Sequence, residues 1–399
     1  MRSQESIFSN TENAFRNKND KELKHSLWLF TLIGNSFFVK FFSRLTLFAI
    51  KIRLPVSSAL KATIYKQFCA GETVEESQSA VKKLGKAHVG SILDYSVEGK
   101  EREEDFERTK NEVIKIIHLA KGNPAIPYTS LKLTGIARFG LLEKINEKKN
   151  ISLESDNEFK AMMNRLHLIC RTAFENDIPI YFDAEESWIQ NAIDNIAEEM
   201  MKQYNKKKAI VLTTLQMYRW DRLNYLKKLI FDSRIENFFV GIKLVRGAYM
   251  EKENKRAHQM GYTSPIQASK EKTDKDFDRA VNICLENIDR VTLCAGTHNE
   301  ASTLHLINKM KELKISNSDS RVYFSQLYGM SDNITFNLAA EGYNVTKYLP
   351  YGPVKSTVPY LLRRAEENTA IAGQMSRELK LLIEEKKRRQ TLHLLPSGK

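Results

Sequence analysis

Eight apolar runs of strand length, each followed by a stretch of helical periodicity, constrain this chain more than any other feature. The runs are 88–97, 128–134, 179–185, 209–218, 239–249, 291–299, 322–330 and 344–352, the last closed by Pro350 and Gly352. Spacers such as 156–176, 187–205, 221–231 and 270–287 carry apolar residues at helical spacing and are long enough for crossover helices. Eight strands alternating with helices predict a (β/α)8 barrel of the TIM type, whose usual core is about 250 residues. A doubly wound open sheet is the rival. It ordinarily shows a glycine-rich phosphate turn, and no GxGxxG occurs here.

Barrels of this kind collect their active sites at the C-terminal ends of the strands. The polar residues that interrupt or end the runs are Asp94, Lys132, Asp183, Gln216, Lys243, Arg246, Thr297, His298, Gln326 and Tyr348. A charge in a buried strand is costly unless it is partnered or serves a ligand. One lysine is explained by a barrel-end ion pair; cations from several strands point instead to an acidic ligand with more than one negative group. The helix after the last run adds to this. Tyr360, Arg363, Arg364 and Glu367 share one face, with Leu361, Leu362 and Ala365 on the flanks. Two adjacent guanidiniums near a core are tolerable when an anion meets them, and arginine grips a carboxylate or phosphate with paired hydrogen bonds. The alternative is an arginine pair that reaches solvent or bridges to Glu366 and Glu367.

Six segments carry a family resemblance. They are Leu131-Lys132-Leu-Thr134, Phe182-Asp183-Ala-Glu-Glu186, Lys243 through Tyr249, Gly296-Thr297-His298-Asn299, Gln326 through Met330, and Tyr348 through Asn368. In this order the chain resembles the monofunctional proline dehydrogenases over nearly its whole length. The resemblance implies an FAD-dependent (β/α)8 barrel that oxidises L-proline to Δ1-pyrroline-5-carboxylate, the first step of proline catabolism to glutamate. It implies hydride transfer from proline C5 to flavin N5, and electrons passed on to a membrane quinone. Lys132, Arg363 and Arg364 match the cations around the substrate carboxylate; Tyr348, Tyr360, Tyr249 and Leu327 match the residues enclosing its ring. Glu98 matches, more loosely, a carboxylate that pairs with Arg363 to close the pocket. Asp183 and Lys243 stand at the positions credited with catalysis, where some relatives carry arginine in place of the lysine; Asp183 reads equally well as a carboxylate that only orders its neighbours. Gln216, Val245, Arg246, Gly247, Ala248, Thr297 and His298 match flavin contacts, Phe182 a backbone contact, and Glu367 a contact to the adenosine end. A glycine at 247 lets backbone approach a ligand closely. Hydroxyproline-oxidising relatives carry a smaller residue at the position of Tyr348, so proline is expected to be preferred over 4-hydroxyproline.

Composition sets the outer limits. A chain of 399 residues that is 42% hydrophobic can bury a large core. Cys69, Cys170, Cys284 and Cys294 form no CxxC pair or metal-ligand pattern, and read as reduced buried thiols, with no metal expected. The net charge of +13 raises nucleic acid as a partner, but the basic residues are scattered apart from the run 386–389, and no nucleic-acid ligand is expected. That run is expected to end a helix spanning 375–389 and to lie on a solvated C-terminal tail, 385–399, beyond a barrel spanning 86–384, with contact to anionic lipid as the alternative. The first 85 residues read as a helical arm. Its apolar stretch 25–39 is shorter than the ~20 residues that span a bilayer. A packed arm and a membrane-surface contact both fit it, the latter suiting an enzyme that reduces a quinone. Glu5, Glu12 and Asp20 argue against a transit peptide, so the cytoplasm is expected, with the mitochondrial matrix or inner membrane as the alternative.

Two rivals remain on sequence alone. A barrel aldolase could use Lys132 or Lys243 as a Schiff-base nucleophile. A non-enzymatic membrane or nucleic-acid binder would explain the positive charge but not the polar strand ends.

Overall fold

The computed structural model describes residues 7–34, 57–96, 101–147, 152–370 and 372–394, with Leu45 and Ile52; for 57, 59, 365–370, 372–376, 393 and 394 it describes backbone alone. Eight parallel strands close into a barrel in chain order: β1 (Val89–Tyr95), β2 (Tyr128–Leu131), β3 (Ile180–Phe182), β4 (Val211–Gln216), β5 (Val240–Val245), β6 (Val291–Gly296), β7 (Val322–Leu327) and β8 (Val345–Tyr351). Closure comes from β1 pairing with β8 along its whole length, from Val89 opposite Val345 to Tyr95 opposite Tyr351. Each strand falls inside one of the eight apolar runs. The run ends that carry polar residues are the loops leaving the C-terminal edge.

Alternation along the strands sorts their side chains into two cores. Outward residues, among them Leu93, Leu131, Phe182, Leu215, Leu244 and Phe324, join the helix layer in one large apolar cluster. Inward residues Ile92, Tyr128, Tyr181, Leu212 and Cys294, with Tyr323 and Tyr348 against them, fill the barrel. Tyr128 stacks on Tyr181 with ring centres 4.8 Å apart, and Tyr323 meets Tyr128 edge-on at 4.8 Å. These rings form a dry floor. One or two inward positions further along β1, β2, β3 and β4 stand Asp94, Lys132, Asp183 and Gln216.

The crossover helices have the local signals their sequences carry. Helix α6 (Leu153–Asn176) starts on Ser152, whose side chain accepts from Ser155 N–H, and stops at Asp177 in the left-handed region. Helix α11 (Glu300–Glu312) starts on Asn299, which accepts from Ser302 N–H directly after the β6 loop.

The first and last parts of the chain build a separate cap. Helices α1 (Thr11–Phe15) and α2 (Asp20–Ile33) pack with α13 (Val354–Ala370) and α14 (Ala372–Leu394). Phe15, Leu29, Phe30, Phe68, Met330, Tyr360, Leu361, Leu381 and Leu382 form a second apolar core there. Residues 65–72 tie this cap to the end of β8. The Tyr65 hydroxyl shares its proton between Gly352 O at 2.8 Å and Gly71 O at 2.5 Å, Ala70 N–H donates to Pro350 O at 2.9 Å, and Gln67 Nε2 donates to Gly329 O at 2.7 Å. Gly329 makes this approach feasible: its φ is +78°, and a Cβ there would lie 2.0 Å from Gln67 O.

The expected C-terminal tail is different in the structure. Helix α14 continues to Leu394, past the helix end expected at 389. Arg389 Nη1 donates to Lys18 O at 2.9 Å and Asp20 Oδ1 at 2.8 Å, Nη2 to Phe15 O at 2.9 Å, and Nε to Glu385 Oε1 at 2.7 Å. A guanidinium with that many acceptors, beside fully buried Glu385, is a docking group and no solvated run. The expected membrane-surface segment beyond Gly34 lies largely outside the described residues. No described helix is long and apolar enough to cross a membrane.

Candidate active site

A cavity of about 790 Å³ opens at the C-terminal end of the barrel, above the tyrosine floor. Its wall includes Lys132, Asp183, Gln216, Lys243, Val245, Arg246, Gly247, Ala248, Tyr249, Thr297, His298, Leu327, Tyr348, Tyr360, Arg363 and Arg364. The strand-end residues and the arginine pair of α13 thus meet at one mouth. Glu98 lies outside the described residues; Glu367 lies on α13, with its side chain outside them. Phe182 is fully buried with its ring in the helix-side core, off the cavity wall, because odd and even positions of β3 face opposite ways.

At the centre stands a buried triad. Lys243 is ion-paired to Asp183 Oδ1, and the Tyr348 hydroxyl donates to Asp183 Oδ2. The Lys243 ammonium also lies 5.0 Å from the Tyr181 ring centre and 4.9 Å from that of Tyr348. The carboxylate and the two aromatic faces are the partners that a buried ammonium requires. Tyr348 reaches Ser130 Oγ at 3.3 Å as well, so its ring is pinned. Asp94, bonded to Ser96 Oγ, completes the group. Burial pushes its carboxyl up against the pull of Lys132, and Asp183 adds to the rise. Behind Lys132, burial pushes Glu185 up to about 7, opposed by Lys132 and by hydrogen bonds from Thr134.

Arg363 and Arg364 share the cavity-facing side of α13. The Arg363 guanidinium lies 5.8 Å from the Tyr249 ring centre, and that of Arg364 lies 5.5 Å from Tyr360. Aromatic faces hold arginine planes in place, and a guanidinium meets a carboxylate with its in-plane donors. Tyr360 and Leu361 root the helix in the second core.

The β5 and β6 loops form the other wall. Arg246 is held by Asp274 Oδ1 at 2.7 Å, Thr297 Oγ1 at 2.7 Å and Ser302 Oγ at 2.9 Å, with its guanidinium 4.6 Å from the Phe277 ring centre. Gly247 has φ +130°, and a Cβ there would lie 2.5 Å from the Tyr218 ring. The protein itself therefore requires glycine at 247, through Tyr218. Gln216 donates to Glu185 O at 2.7 Å. His298 Nδ1 meets Ser331 Oγ at 2.9 Å. Burial, together with Lys347, Arg364 and Arg246, pushes the imidazole down to about 3, so it is neutral at physiological pH.

Sequence reasoning gave no role to a second charged cluster beside His298. Lys347, on the outward face of β8 and 1% exposed, pairs with Asp332 at 2.9 Å; Lys18 of the N-terminal arm reaches the same carboxylate at 3.2 Å. Burial opposes ionisation of Asp332, but Lys347 and Lys18 hold its carboxyl below the usual range. Glu378 of α14 accepts Ser331 N–H at 2.9 Å, and burial pushes its carboxyl up to about 7. The only local signal was a lysine inside the β8 run; its partner Asp332 is 15 residues away, and Lys18, which shares that carboxylate, is 329 away.

In all, seven cationic side chains against four carboxylates line the cavity. That excess suits an anionic ligand. At water's ~30 Å³ per heavy atom, an eight-atom amino acid needs at most about 240 Å³. The remaining volume, walled by Arg246, Gln216, Thr297, neutral His298, Lys270 and Arg377, has room for one end of a larger, partly anionic cofactor.

Comparison with known proteins gives the same family from the whole sequence. Residues 77–377 match the family model described as proline dehydrogenase. Carbapenem antibiotics biosynthesis protein CarD of Pectobacterium carotovorum is 32% identical, with 87% of this chain and 90% of that protein covered. Proline dehydrogenase 1, mitochondrial, of Dictyostelium discoideum is 32% identical over 84% of this chain; the chain spans 66% of that protein's length. Hydroxyproline dehydrogenase of Xenopus laevis is 31% identical over 83% of this chain and 78% of its own length. Among solved structures, proline utilization A from Bdellovibrio bacteriovorus superposes with a TM-score of 0.71 at 21% identity, covering 92% of this chain and 40% of that one. That likeness concerns the fold. From the barrel, its polar mouth and a family match over most of its length, this chain belongs to the proline dehydrogenase family of oxidoreductases.

Proposed function

We propose that this chain oxidises L-proline to Δ1-pyrroline-5-carboxylate, with FAD held across the barrel mouth. One observation carries the reading: Lys132, Asp183, Lys243, Tyr348, Arg363 and Arg364, from five separate elements, line one open cavity with room for the amino acid and the ring end of the cofactor. Bound FAD supplies the acceptor, at N5, for the hydride leaving proline C5. Arg246, Gln216, Thr297 and His298, with the backbone of Val245, Gly247 and Ala248, would hold it, and Lys243 would supply positive charge that favours its taking up electrons.

Arg363, Arg364 and Lys132 bind the proline carboxylate. Charge-assisted hydrogen bonds of about 1.5–3 kcal/mol each orient so small a substrate firmly. Tyr249, Leu327, Tyr348 and Tyr360 wall the ring and exclude water. The cationic excess lowers the proline amine's affinity for its proton, leaving the nitrogen lone pair free for the forming C=N bond. Asp183 holds Lys243 and Tyr348 in register with that ring. Glu98 and Glu367 keep the roles the family resemblance gives them, closing the pocket and reaching the adenosine end. A membrane quinone is the proposed electron acceptor, approached from the arm side. The mitochondrial name of the Dictyostelium relative supports the matrix or inner membrane over the cytoplasm expected first.

The test is direct. The purified chain loaded with FAD should be yellow, bleach anaerobically on adding L-proline, and yield a trappable pyrroline-5-carboxylate. A colourless protein that borohydride links to a carbonyl substrate would overturn this reading in favour of a lysine-dependent aldolase. The Xenopus relative's name raises 4-hydroxyproline as a second substrate. Tyr348 is pinned by Asp183 and Ser130 and cannot swing aside for a ring hydroxyl. Proline should therefore show the higher kcat/KM; equal values would remove Tyr348 as the selectivity gate.

A further inference from the structure

Ser331 is the N-cap of α12 (Asp332–Ala340) and has φ +50° and ψ +44°, a left-handed conformation that a serine adopts only when its surroundings hold it there. Two contacts define its place. Its N–H points at Glu378 Oε2, 2.9 Å away on α14, and its Oγ meets His298 Nδ1 at 2.9 Å. Ser331, His298 and Glu378 all line the cavity, and Ser331 and Glu378 are each nearly inaccessible. The C-terminal helix therefore reaches the imidazole by way of Ser331.

We infer that Glu378 is a positioning residue for His298, acting through Ser331 to fix which ring nitrogen carries the proton and which is turned to the cofactor. This rests on the flavin reading of the cavity. The chemistry is that of an oriented imidazole. A neutral ring has one donor and one acceptor nitrogen, and the partner of one decides the character of the other. His298 is kept neutral by burial and by the cations Lys347, Arg364 and Arg246, so its tautomer is the only choice left to it. The Ser331 hydroxyl, placed by the left-handed backbone that Glu378 anchors, is a partner at Nδ1 and biases that choice. Asp332 and its partners Lys347 and Lys18 brace the next residue, so displacing the Glu378 carboxylate frees Ser331 without dissolving the start of α12.

The test reads the ring itself. Nitrogen-15 spectra of histidine-labelled full-length protein, with and without FAD, report the tautomer, and His298→Asn assigns the signal. Glu378→Met keeps length and an apolar fit while removing the acceptor. It should shift His298 from one dominant tautomer to a mixture and weaken FAD binding about tenfold, the scale of one lost charge-assisted hydrogen bond. Glu378→Gln, which still accepts from Ser331 N–H, should restore both. Ser331→Gly suits the backbone angle and removes only the hydroxyl; it should shift the ring as Glu378→Met does, and it carries the test if that variant fails to fold. Unchanged His298 nitrogen signals in either Glu378→Met or Ser331→Gly would overturn the inference. Because the spectra are also taken without cofactor, wild-type protein that binds no FAD would refute the flavin reading while the link from Glu378 to His298 is still judged.

Discussion

The two walls of the cavity are built in opposite ways. The Asp183–Lys243–Tyr348 wall consists of strand ends: β3, β5 and β8 are locked by the barrel ladder, and each side chain follows from its parity along a strand. The Arg363–Arg364 wall stands on a helix whose position depends on a second core, formed by residues near 15–30, 65–68 and 381–382. A wall made of strands inherits the rigidity of the fold. A wall made of a capped helix inherits whatever happens to the cap. Chemistry is therefore expected to depend on the first and substrate affinity on the second.

The largest effect should come from breaking the strand wall. Lys243→Met removes the cation and leaves Asp183 buried without its partner; flavin reduction by proline followed in stopped flow should slow by about 10²–10³-fold. A rate within threefold of wild type would show that Lys243 is only structural. On the helix wall, Arg364→Ala should raise KM for proline by about 10²-fold with kcat changed much less, the pattern of lost ground-state binding. Equal losses in kcat would instead assign Arg364 to the chemical step and erase the contrast between walls.

A pH experiment sharpens the comparison at the seam between walls. The folded His298 titrates near 3, below the imidazole's ordinary 6.5, so its contribution to stability is complete above 6.5 and is lost as pH falls toward 3. At pH 5 that loss is about 2 kcal/mol. Urea unfolding of wild type against His298→Asn should show a steeper acid-side decline in wild type; parallel curves would mean that the imidazole is not buried neutral. The smallest effect tests the cap. Tyr65→Phe removes the hydroxyl that bridges Gly71 and Gly352 and should cost about 1 kcal/mol, with a modest rise in KM and no change in kcat. A fall in kcat alone would show that the cap also governs the strand wall.

The same contrast explains what could be read from the sequence. All eight strands were legible because each is a short apolar run in a fixed alternation with helices, and the polar strand ends followed from the barrel. The arginine face of α13 was legible from helical spacing. Its support was not: Phe15, Phe68 and Leu381 look like ordinary apolar residues, and nothing local says that they meet. The Lys18–Asp332–Lys347 cluster was hidden for the same reason, since three charges far apart in sequence read as three surface charges. Arg389 was misplaced by its neighbours: a basic run looks solvated until the acceptors from residues 15–20 are seen around it. The case for glycine at 247 also differs in origin, because Tyr218, twenty-nine positions earlier, occupies the space.

The grip of Arg389 on the carbonyls of Phe15 and Lys18 has a consequence for biosynthesis. The strands can all pair once Tyr351 has emerged from the ribosome, yet the clasp that seats the arginine helix waits for a residue 38 positions later. During that interval a nascent chain holds a closed barrel with an unfinished mouth, and its first thirty residues await their mate. Folding factors that shield apolar surface would find their target on this early segment, long after it was made and while the rest of the molecule is already in order.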